Sequence, residues 1–287
     1  MTNNLTLDDT INKHKTPTVT SQTFSFRPKI IFFDIDDTLS RDGVIAPHNK
    51  ATLEQLSKTD IKLVIATGRS KSIIPEDILA LFETGVFDAI VCTNGQYSFD
   101  KKGIISHYPL TLEQASKIDE LCRQDHLIHK FDSDTNLAWA NDNEQIRAFI
   151  AMTPSSIIDP NYYKTNPVYQ CSVFFKNEQQ RMQEVDFAKF GLKLVHWHQI
   201  GGDILPIDAS KERGVRDVCQ YFGIDINDAM AIGDGFNDLE MFDAVGFAVA
   251  MGDGQPALKL KADWITGSIE EYGLQKVLHP LLEVANS

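Results

Sequence analysis

A single stretch near the N-terminus, residues 29–39, limits the possible folds of this chain of 287 residues most strongly. It reads Lys-Ile-Ile-Phe-Phe-Asp-Ile-Asp-Asp-Thr-Leu, so four large apolar residues run directly into a cluster of acids. A continuous apolar run of this kind predicts a strand that is buried on both faces, as in a parallel sheet. Asp34 and Asp36 would then lie at the carboxyl end of the strand, where open parallel sheets bind their ligands.

These two carboxylates also have an ordinary interpretation. Asp and Thr are common turn and cap residues, so the cluster could be an acidic turn that closes a strand. Like charges this close repel each other, and both stay ionised only if a cation or hydrogen-bond donors lie nearby. A functional site at Asp34 and Asp36 therefore requires partners from elsewhere in the chain.

Apolar strands and amphipathic helices alternate in the first third of the chain and again in the last third. This order predicts an α/β fold with a Rossmann-like parallel sheet and right-handed crossovers. Ser210 is a plausible N-cap for the first helix of the second part. The main predicted elements are strands at 30–33, 61–66, 89–92, 229–233, 246–251 and 264–265, and helices at 48–58, 72–83, 210–222, 256–261 and 269–283.

The pattern changes between these two parts. A hairpin is predicted over 97–104, followed by short strands and helices, which indicates an inserted α+β unit. We expect a flexible tail over 1–27, a core formed by 28–96 and 200–287, and an insert over 97–199. The other elements predicted here are helices near 111–125, 142–151 and 178–190, and strands at 138–140, 168–176, 192–198 and 202–207.

Composition argues against several kinds of partner. The net charge is −13 and no run of Lys and Arg interrupts it, so the cationic surface that binds nucleic acids or anionic membranes is not expected. No apolar run approaches the roughly 20 residues of a membrane span, and no secretory signal pattern begins the chain. The four cysteines are widely separated, which predicts buried free thiols and a cytoplasmic location.

Distinctive polar residues follow several of the predicted strands. They are Asp34 and Asp36, Thr67, and Asp234 with Asp238, and Lys211 begins a predicted helix. Because the carboxyl ends of parallel strands share one edge of a sheet, we expect these side chains to converge. Carboxylates beside one Lys and one hydroxyl predict a hard-cation site next to an anion cradle, and such oxygen ligands suit Mg²⁺ working with phosphates.

Four segments resemble the four motifs of the haloacid dehalogenase superfamily, in the family's order, over about residues 28–283. They are Asp34-x-Asp36-x-Thr38, Thr67-Gly68-Arg69, Lys211, and Gly233-Asp234-Gly235-x-Asn237-Asp238. The large insert between the second and third motifs resembles the type C2B cap of the type IIB, Cof-like phosphatases. The resemblance implies a core with an inserted cap and the Mg²⁺-dependent hydrolysis of a small phosphorylated metabolite.

The resemblance also implies a role for each matching residue. Asp34 would be the nucleophile that accepts the phosphoryl group, and Asp36 would act as general acid and then as general base. Mg²⁺ would be held by the Asp34 carboxylate, the Asp36 backbone carbonyl and Asp234. Asp238 would act behind these ligands, through a metal-bound water or Lys211.

Further residues would hold the substrate. The expected contacts to the phosphoryl oxygens come from Thr67, Gly68, Lys211 and Asn237. Candidate contacts to the leaving group, at strand ends that face the insert, are Arg69, Asn94 and Gly95. Sugar phosphates are the expected class, with flavin and pyridoxal phosphates as alternatives.

Some features fit this interpretation less directly. Thr67-Gly68 could be a simple strand-to-turn junction, and Asp37 has no expected catalytic role. The segment 251–254 reads Met-Gly-Asp-Gly where the family often has Met-Gly-Asn-Ala, and the added charge could shift substrate orientation or pH dependence. His196 and His198 could face one side of a strand, but no third metal ligand accompanies them.

Two other functions remain open from the sequence. A phosphomutase or phosphotransferase acting on phosphosugars would share the phosphoaspartate but return the phosphoryl group to an acceptor. A sensor of phosphorylated ligands would bind without turnover, although the intact pair of Asp34 and Asp36 argues against it.

Overall fold

The structure is a computed structural model that describes residues 25–175 and 184–285. Within these residues the strands are β1 (Ile30–Phe33), β2 (Lys62–Ala66), β3 (Ala89–Cys92), β4 (Tyr97–Asp100), β5 (Gly103–His107), β6 (Ile128–Asp132), β7 (Leu137–Trp139), β8 (Ser156–Ile158), β9 (Gln170–Phe174), β10 (Leu192–His198), β11 (Gly201–Pro206), β12 (Ala229–Gly233), β13 (Phe247–Ala250) and β14 (Trp264–Ile265). The α-helices are α1 (Pro47–Leu56), α2 (Glu76–Thr84), α3 (Leu112–Gln124), α4 (Glu144–Met152), α5 (Lys211–Phe222), α6 (Leu239–Ala244), α7 (Pro256–Lys259) and α8 (Gly273–Ala285).

The large sheet has eight strands in the order β14-β13-β12-β1-β2-β3-β4-β5. Strand β1 lies near its centre and pairs in parallel with both β12 and β2. Ile31 and Phe33 pack into the hydrophobic cluster on one face of the sheet, and Ile30 and Phe32 pack into the cluster on the other. The apolar run therefore forms a strand that is buried on both faces, as the sequence predicts.

The position of β1 explains why acids follow it. The chain passes from β1 to β2 on one side, whereas β12 enters from the distant C-terminal part on the other side. Open α/β sheets bind ligands in the crevice outside the carboxyl ends of their strands, at the point where the strand order reverses. Asp34 is the first residue beyond β1, and its backbone N–H donates to the carbonyl of Ile232 at 3.0 Å.

The small sheet has six strands in the order β10-β11-β9-β6-β7-β8. Phe131, Cys171 and Val173 from its inner face pack with Ile118 and Cys122 of α3 in a separate hydrophobic cluster. The helix α3 begins with a capping box, in which the Thr111 side chain accepts the Gln114 N–H at 3.1 Å. The predicted fold class, a parallel α/β core with an α+β insert, is confirmed.

The sequence predicts an insert over residues 97–199, but the two observed sheets divide the chain at other positions. The hairpin β4–β5 extends the large sheet, because β4 pairs with β3 and its Tyr97 and Phe99 pack in the large core. Strand β11 pairs with β9 and β10, so it belongs to the small sheet rather than to the core. The chain thus leaves the large sheet after β5 and rejoins it at β12, after the helix α5.

Two other predictions concern the margins of the described residues. Residues 1–24 of the expected tail lie outside them, but Phe26 stacks on Phe247 with ring centroids 5.1 Å apart. Residues 178–183 of the helix expected near 178–190 also lie outside, and the described remainder contains a 3₁₀ turn, Phe187–Phe190. The four cysteines are buried and unpaired, as predicted. No helix in the described part of the chain is long and apolar enough to cross a membrane.

Candidate active site

The strand ends and the small sheet enclose a cavity of about 600 Å³. Residues from the large-sheet side that line it include Asp34, Asp36, Thr67, Gly68, Arg69, Asn94, Asp234 and Asn237. Residues from the small sheet that line it include Lys130, Asp132, Gln170, Ser172, Phe174 and His196. Of the six polar residues predicted to converge, four therefore line one cavity, whereas Lys211 and Asp238 do not line it and contact its acids from within the protein.

Lys211 lies beneath this cavity and is fully buried. Its Nζ is 2.5 Å from Asp34 Oδ1 and 2.6 Å from Asp238 Oδ1. Burial lowers the pKa of Lys211, but the carboxylates of Asp238 and Asp34 outweigh burial and hold the pKa above its ordinary value. Lys211 is therefore a fixed positive charge at the first position of α5, where Ser210 caps the helix as predicted.

Asp238 is also fully buried, and its side chain accepts three hydrogen bonds from the protein. While Oδ1 accepts from Lys211, Oδ2 accepts the backbone N–H of Asp234 at 3.0 Å and of Gly235 at 2.9 Å. The side chain thus holds the loop that carries Asp234. It has little capacity left for a direct ligand bond to a metal.

Asp34 and Asp234 carry charge that the protein only partly compensates. Burial raises the pKa of Asp34 well above its ordinary value, and Lys211 offsets only part of this effect. Burial, reinforced by the negative charge of Asp238, raises the pKa of Asp234 to about 7. The Thr38 hydroxyl donates to Asp234 Oδ1 at 3.1 Å and fixes its orientation.

These acids form a candidate metal centre. Oxygen atoms of Asp34, Asp234 and Asp238 all lie within 4.8 Å of one another, and no other cluster of three potential ligands occurs among the described residues. Three carboxylates with one ammonium leave two negative charges uncompensated when all are ionised, which a divalent cation would balance. A set of oxygen donors suits a hard cation such as Mg²⁺.

Neutral polar groups gather beside the acids at the ends of β2 and β3. The Thr67 hydroxyl accepts the backbone N–H of Arg69 at 3.1 Å, and the Asn237 amide donates to Asn94 Oδ1 at 3.3 Å. A Cβ on Gly68 would lie 3.1 Å from Asn94 Oδ1 and 3.2 Å from Asn237 Nδ2. The absence of a side chain at Gly68 therefore keeps these groups close together.

Asp36 and Arg69 form a bidentate ion pair at the wall of the cavity. Arg69 Nε donates to Asp36 Oδ2 at 2.8 Å, and its terminal nitrogen donates to Asp36 Oδ1 at 2.7 Å. Another terminal nitrogen donates to the carbonyl of Ile73 at 3.2 Å, which anchors the guanidinium. Arg69 lines the cavity where a leaving group would lie, but its partner in this structure is Asp36.

Gly95 does not line the cavity, in contrast to the expected substrate contact. Its φ is +80°, and a Cβ there would lie 1.9 Å from the carbonyl oxygen of Ser210. Gly95 therefore provides the close approach between the end of β3 and the start of α5, and its role is structural.

Arg41 pairs with the two acids whose roles were uncertain in the sequence. Its guanidinium lies 2.8 Å from Asp37, 3.0 Å from Asp253 and 2.6 Å from Glu270. The charge that Asp253 adds in place of the usual Asn is thus paired with Arg41, which it shares with Asp37 and Glu270.

The small sheet contributes cavity residues that the sequence did not indicate. Lys130 and Asp132 alternate with Phe131 on β6, and Gln170 and Ser172 flank Cys171 on β9. This alternation of polar and apolar residues is the period of a strand with one buried face. In the sequence, this alternation was the available signal for the polar face of the strands. It does not reveal that this face meets a cavity.

Comparisons with known proteins agree with this geometry. The family model for haloacid dehalogenase-like hydrolases matches residues 31–278. YkrA of Bacillus subtilis is 31% identical over 253 residues, which cover 86% of this chain and 95% of that protein. The 5-amino-6-(5-phospho-D-ribitylamino)uracil phosphatase YwtE of Bacillus subtilis is 27% identical over 286 residues, covering 88% of this chain and 98% of YwtE.

A solved structure supports the assignment to a subclass. The structure of a subclass IIB sugar phosphatase of the superfamily superposes with a TM-score of 0.75 at 25% identity, covering 87% of this chain and 97% of that one. The match extends over both the large-sheet unit and the inserted small-sheet unit. This chain therefore belongs to the haloacid dehalogenase-like hydrolases and is a subclass IIB phosphatase.

Proposed function

We propose that this protein is a Mg²⁺-dependent phosphatase that hydrolyses a small phosphate monoester through a phosphorylated Asp34. The observation that carries the proposal is the contact between Asp34 and the buried Lys211, 2.5 Å apart, at the floor of the cavity. The ammonium orients Asp34 for attack and offsets part of the rise in its pKa that burial causes, and it remains in place to meet the charge of the phosphoryl group.

The first step transfers the phosphoryl group to the enzyme. A carboxylate oxygen of Asp34 forms a bond to phosphorus while the bond from phosphorus to the leaving-group oxygen breaks. Asp36 donates a proton to that oxygen, because an alkoxide is a poor leaving group without one. For this step Arg69 has to release Asp36 from their bidentate ion pair, so that a carboxyl oxygen can carry the proton. The product of this step is an alcohol, and Asp36 is left ionised.

The second step regenerates the enzyme. A water molecule attacks the phosphorus and gives a proton to Asp36, while the bond between phosphorus and Asp34 breaks. Inorganic phosphate leaves, Asp34 is again a carboxylate, and Asp36 again carries a proton. The same residue thus acts as acid and then as base.

Groups fixed around the cavity would stabilise the charge that develops on the phosphoryl oxygens. The proposed donors are Lys211, the Thr67 hydroxyl, the Gly68 N–H and the Asn237 amide. Mg²⁺ would be held by the Asp34 carboxylate, the Asp36 carbonyl and Asp234, with Asp238 behind them. When bound, the ion supplies positive charge to the transferred group and balances the acidic cluster.

We propose a sugar phosphate or similar metabolite as the substrate. The similarity to a subclass IIB sugar phosphatase and the cavity of about 600 Å³ support this class, because the cavity exceeds the size of a phosphoryl group alone. The buried free thiols support a reducing, cytoplasmic location.

A panel of phosphate esters tests the proposal, with free phosphate measured in Mg²⁺ and in EDTA. We expect Mg²⁺-dependent release, and Asp34→Asn should lower kcat/KM by at least roughly a thousandfold because the nucleophile is lost. Glu54→Gln is the control, since Glu54 is an exposed acid of α1 that does not line the cavity. Wild-type rates in Asp34→Asn would contradict the proposed mechanism.

A further inference from the structure

Three consecutive residues between β3 and β4, which we term the left-handed turn, have positive φ angles. Thr93, Asn94 and Gly95 have φ values of +53°, +51° and +80°. This region of the backbone is ordinary for Gly, but it is strained for a β-branched residue such as Thr. Such strain persists only where the surrounding structure fixes the backbone, and it is concentrated at functional sites.

Parts of the candidate active site hold the left-handed turn in place. The Thr93 N–H donates to the Arg69 carbonyl at 2.8 Å, and the Asn94 N–H donates to the Thr67 carbonyl at 3.1 Å. On the other side of the turn, Gly95 approaches the start of α5 too closely for any side chain. These contacts fix the backbone of Asn94, whose side chain lines the cavity although the residue is only 8% exposed.

The Asn94 side chain contacts one of the proposed phosphoryl donors. Asn237 Nδ2 donates to Asn94 Oδ1 at 3.3 Å, and within the described residues this is the only hydrogen bond of the Asn237 side chain. Both residues also line a second cavity, of about 210 Å³, so protein atoms pack against this amide pair only in part. The orientation of the Asn237 amide therefore depends on Asn94.

The amide pair leaves one donor of Asn237 for the substrate. A side-chain amide has two N–H groups, and the bond to Asn94 uses one of them. The pair also lies next to Gly68, another proposed donor, because a Cβ there would be 3.1 Å from Asn94 Oδ1 and 3.2 Å from Asn237 Nδ2. The last side-chain torsion of Asn has a broad energy minimum, so an unpaired Asn237 amide would sample orientations that do not face the phosphoryl group.

We infer that Asn94 is a positioning residue, which acts on the reaction by orienting the Asn237 amide toward the phosphoryl group rather than by contacting the leaving group. A donor that is oriented before the reaction needs no reorganisation when charge develops on the phosphoryl oxygens. The inference rests on the proposed function and adds to it a residue that acts through Asn237.

A double-mutant cycle between Asn94 and Asn237 tests the inference, with kcat and KM measured in Mg²⁺ on the ester of the panel that is hydrolysed fastest. Asn94→Gly removes the amide and preserves the backbone, because Gly adopts a φ of +51° without strain. It should lower kcat/KM by about three- to tenfold, mainly through kcat, since the oriented donor acts on transition-state charge. Asn237→Ala should lower kcat/KM by about a hundredfold, and adding Asn94→Gly to it should change the value by less than about twofold.

Thr93→Gly is the matched control, because it relieves strain in the same turn and leaves the amide pair intact. Its kcat/KM should differ from that of the wild type by less than about twofold. A loss equal to that of Asn94→Gly would mean that the rigidity of the turn matters rather than the amide, and it would overturn the inference. Losses that multiply in the double variant would overturn it as well, since Asn94 would then act independently of Asn237.

A binding measurement separates the inference from the proposed function. If no ester releases phosphate in Mg²⁺, the proposed function fails. The same cycle, read from the Kd of inorganic phosphate by calorimetry, still decides whether Asn94 acts through Asn237: non-additive losses in affinity support the inference, and additive losses contradict it.

Discussion

We expect the metal-free protein to lose stability as the pH rises, and Mg²⁺ to restore it. The pKa of Asp234 is raised from 3.8 to about 7 by burial and by the charge of Asp238, whereas an unfolded chain has the ordinary value. Between these two values the folded protein keeps a proton that the unfolded chain has released. The free energy of unfolding therefore falls as the pH rises through this window.

The pKa values of Asp234 set the size of the effect. A rise from 3.8 to about 7 corresponds to at most about 4 kcal/mol. Asp234 is only partly buried, so solvent screening reduces the expected loss to about 2 kcal/mol. The shift of Asp34 acts in the same direction. Mg²⁺ binds the ionised carboxylates in competition with protons, so its stabilising effect should grow with pH.

Urea unfolding followed by circular dichroism measures both effects, at about pH 5.5 and about pH 8, in EDTA and in Mg²⁺. Asp234→Asn should reduce the loss of stability at the higher pH, because the amide does not ionise. Glu54→Gln removes an exposed acid of α1 that does not line the cavity, and it should retain the wild-type dependence. The reasoning is refuted if Asp234→Asn has the same pH dependence as the wild type, or if Mg²⁺ stabilises equally at both pH values.

Three further changes test single contacts. Lys211→Met should destabilise the protein by about 3–5 kcal/mol in urea unfolding, because two buried carboxylates lose their partner; an unchanged midpoint would contradict the buried ion pairs. Gly95→Ala should cost more than about 2 kcal/mol, since the new Cβ meets the Ser210 carbonyl at 1.9 Å; a wild-type Tm would exclude that close approach. Asp253→Asn should change the free energy of unfolding by less than about 1 kcal/mol and kcat/KM by less than about twofold, because its partner Arg41 is exposed. A large change in kcat/KM would mean that the charge of Asp253 acts on the active site.

The sequence predicted the site well where local patterns determine position. A strand that is apolar on both faces has to lie inside a parallel sheet, so the acids after β1 were expected at its ligand-binding edge. Ser210 was recognisable as a cap, which placed Lys211 at the first turn of a helix. These inferences needed only residues that are neighbours in the chain.

Pairing between distant segments was harder to predict. The hairpin β4–β5 has the same local pattern whether it extends the large sheet or begins the insert, and the pairing of β4 with β3 decides. Gly95 resembles a cavity residue until the approach of Ser210 is known. The partner of Asp253 is Arg41, 212 positions away, so no local pattern could reveal this ion pair.

The phosphorylated Asp34 is the central claim, and mass spectrometry of the acid-quenched enzyme during turnover tests it most directly. Acid preserves an acyl phosphate long enough for peptide mapping, and the expected result is one phosphoryl group on the peptide that contains residues 29–39. The modification should be absent without substrate and absent in Asp34→Asn. Steady release of phosphate with no phosphoryl group on Asp34, and with full activity in Asp34→Asn, would contradict the account.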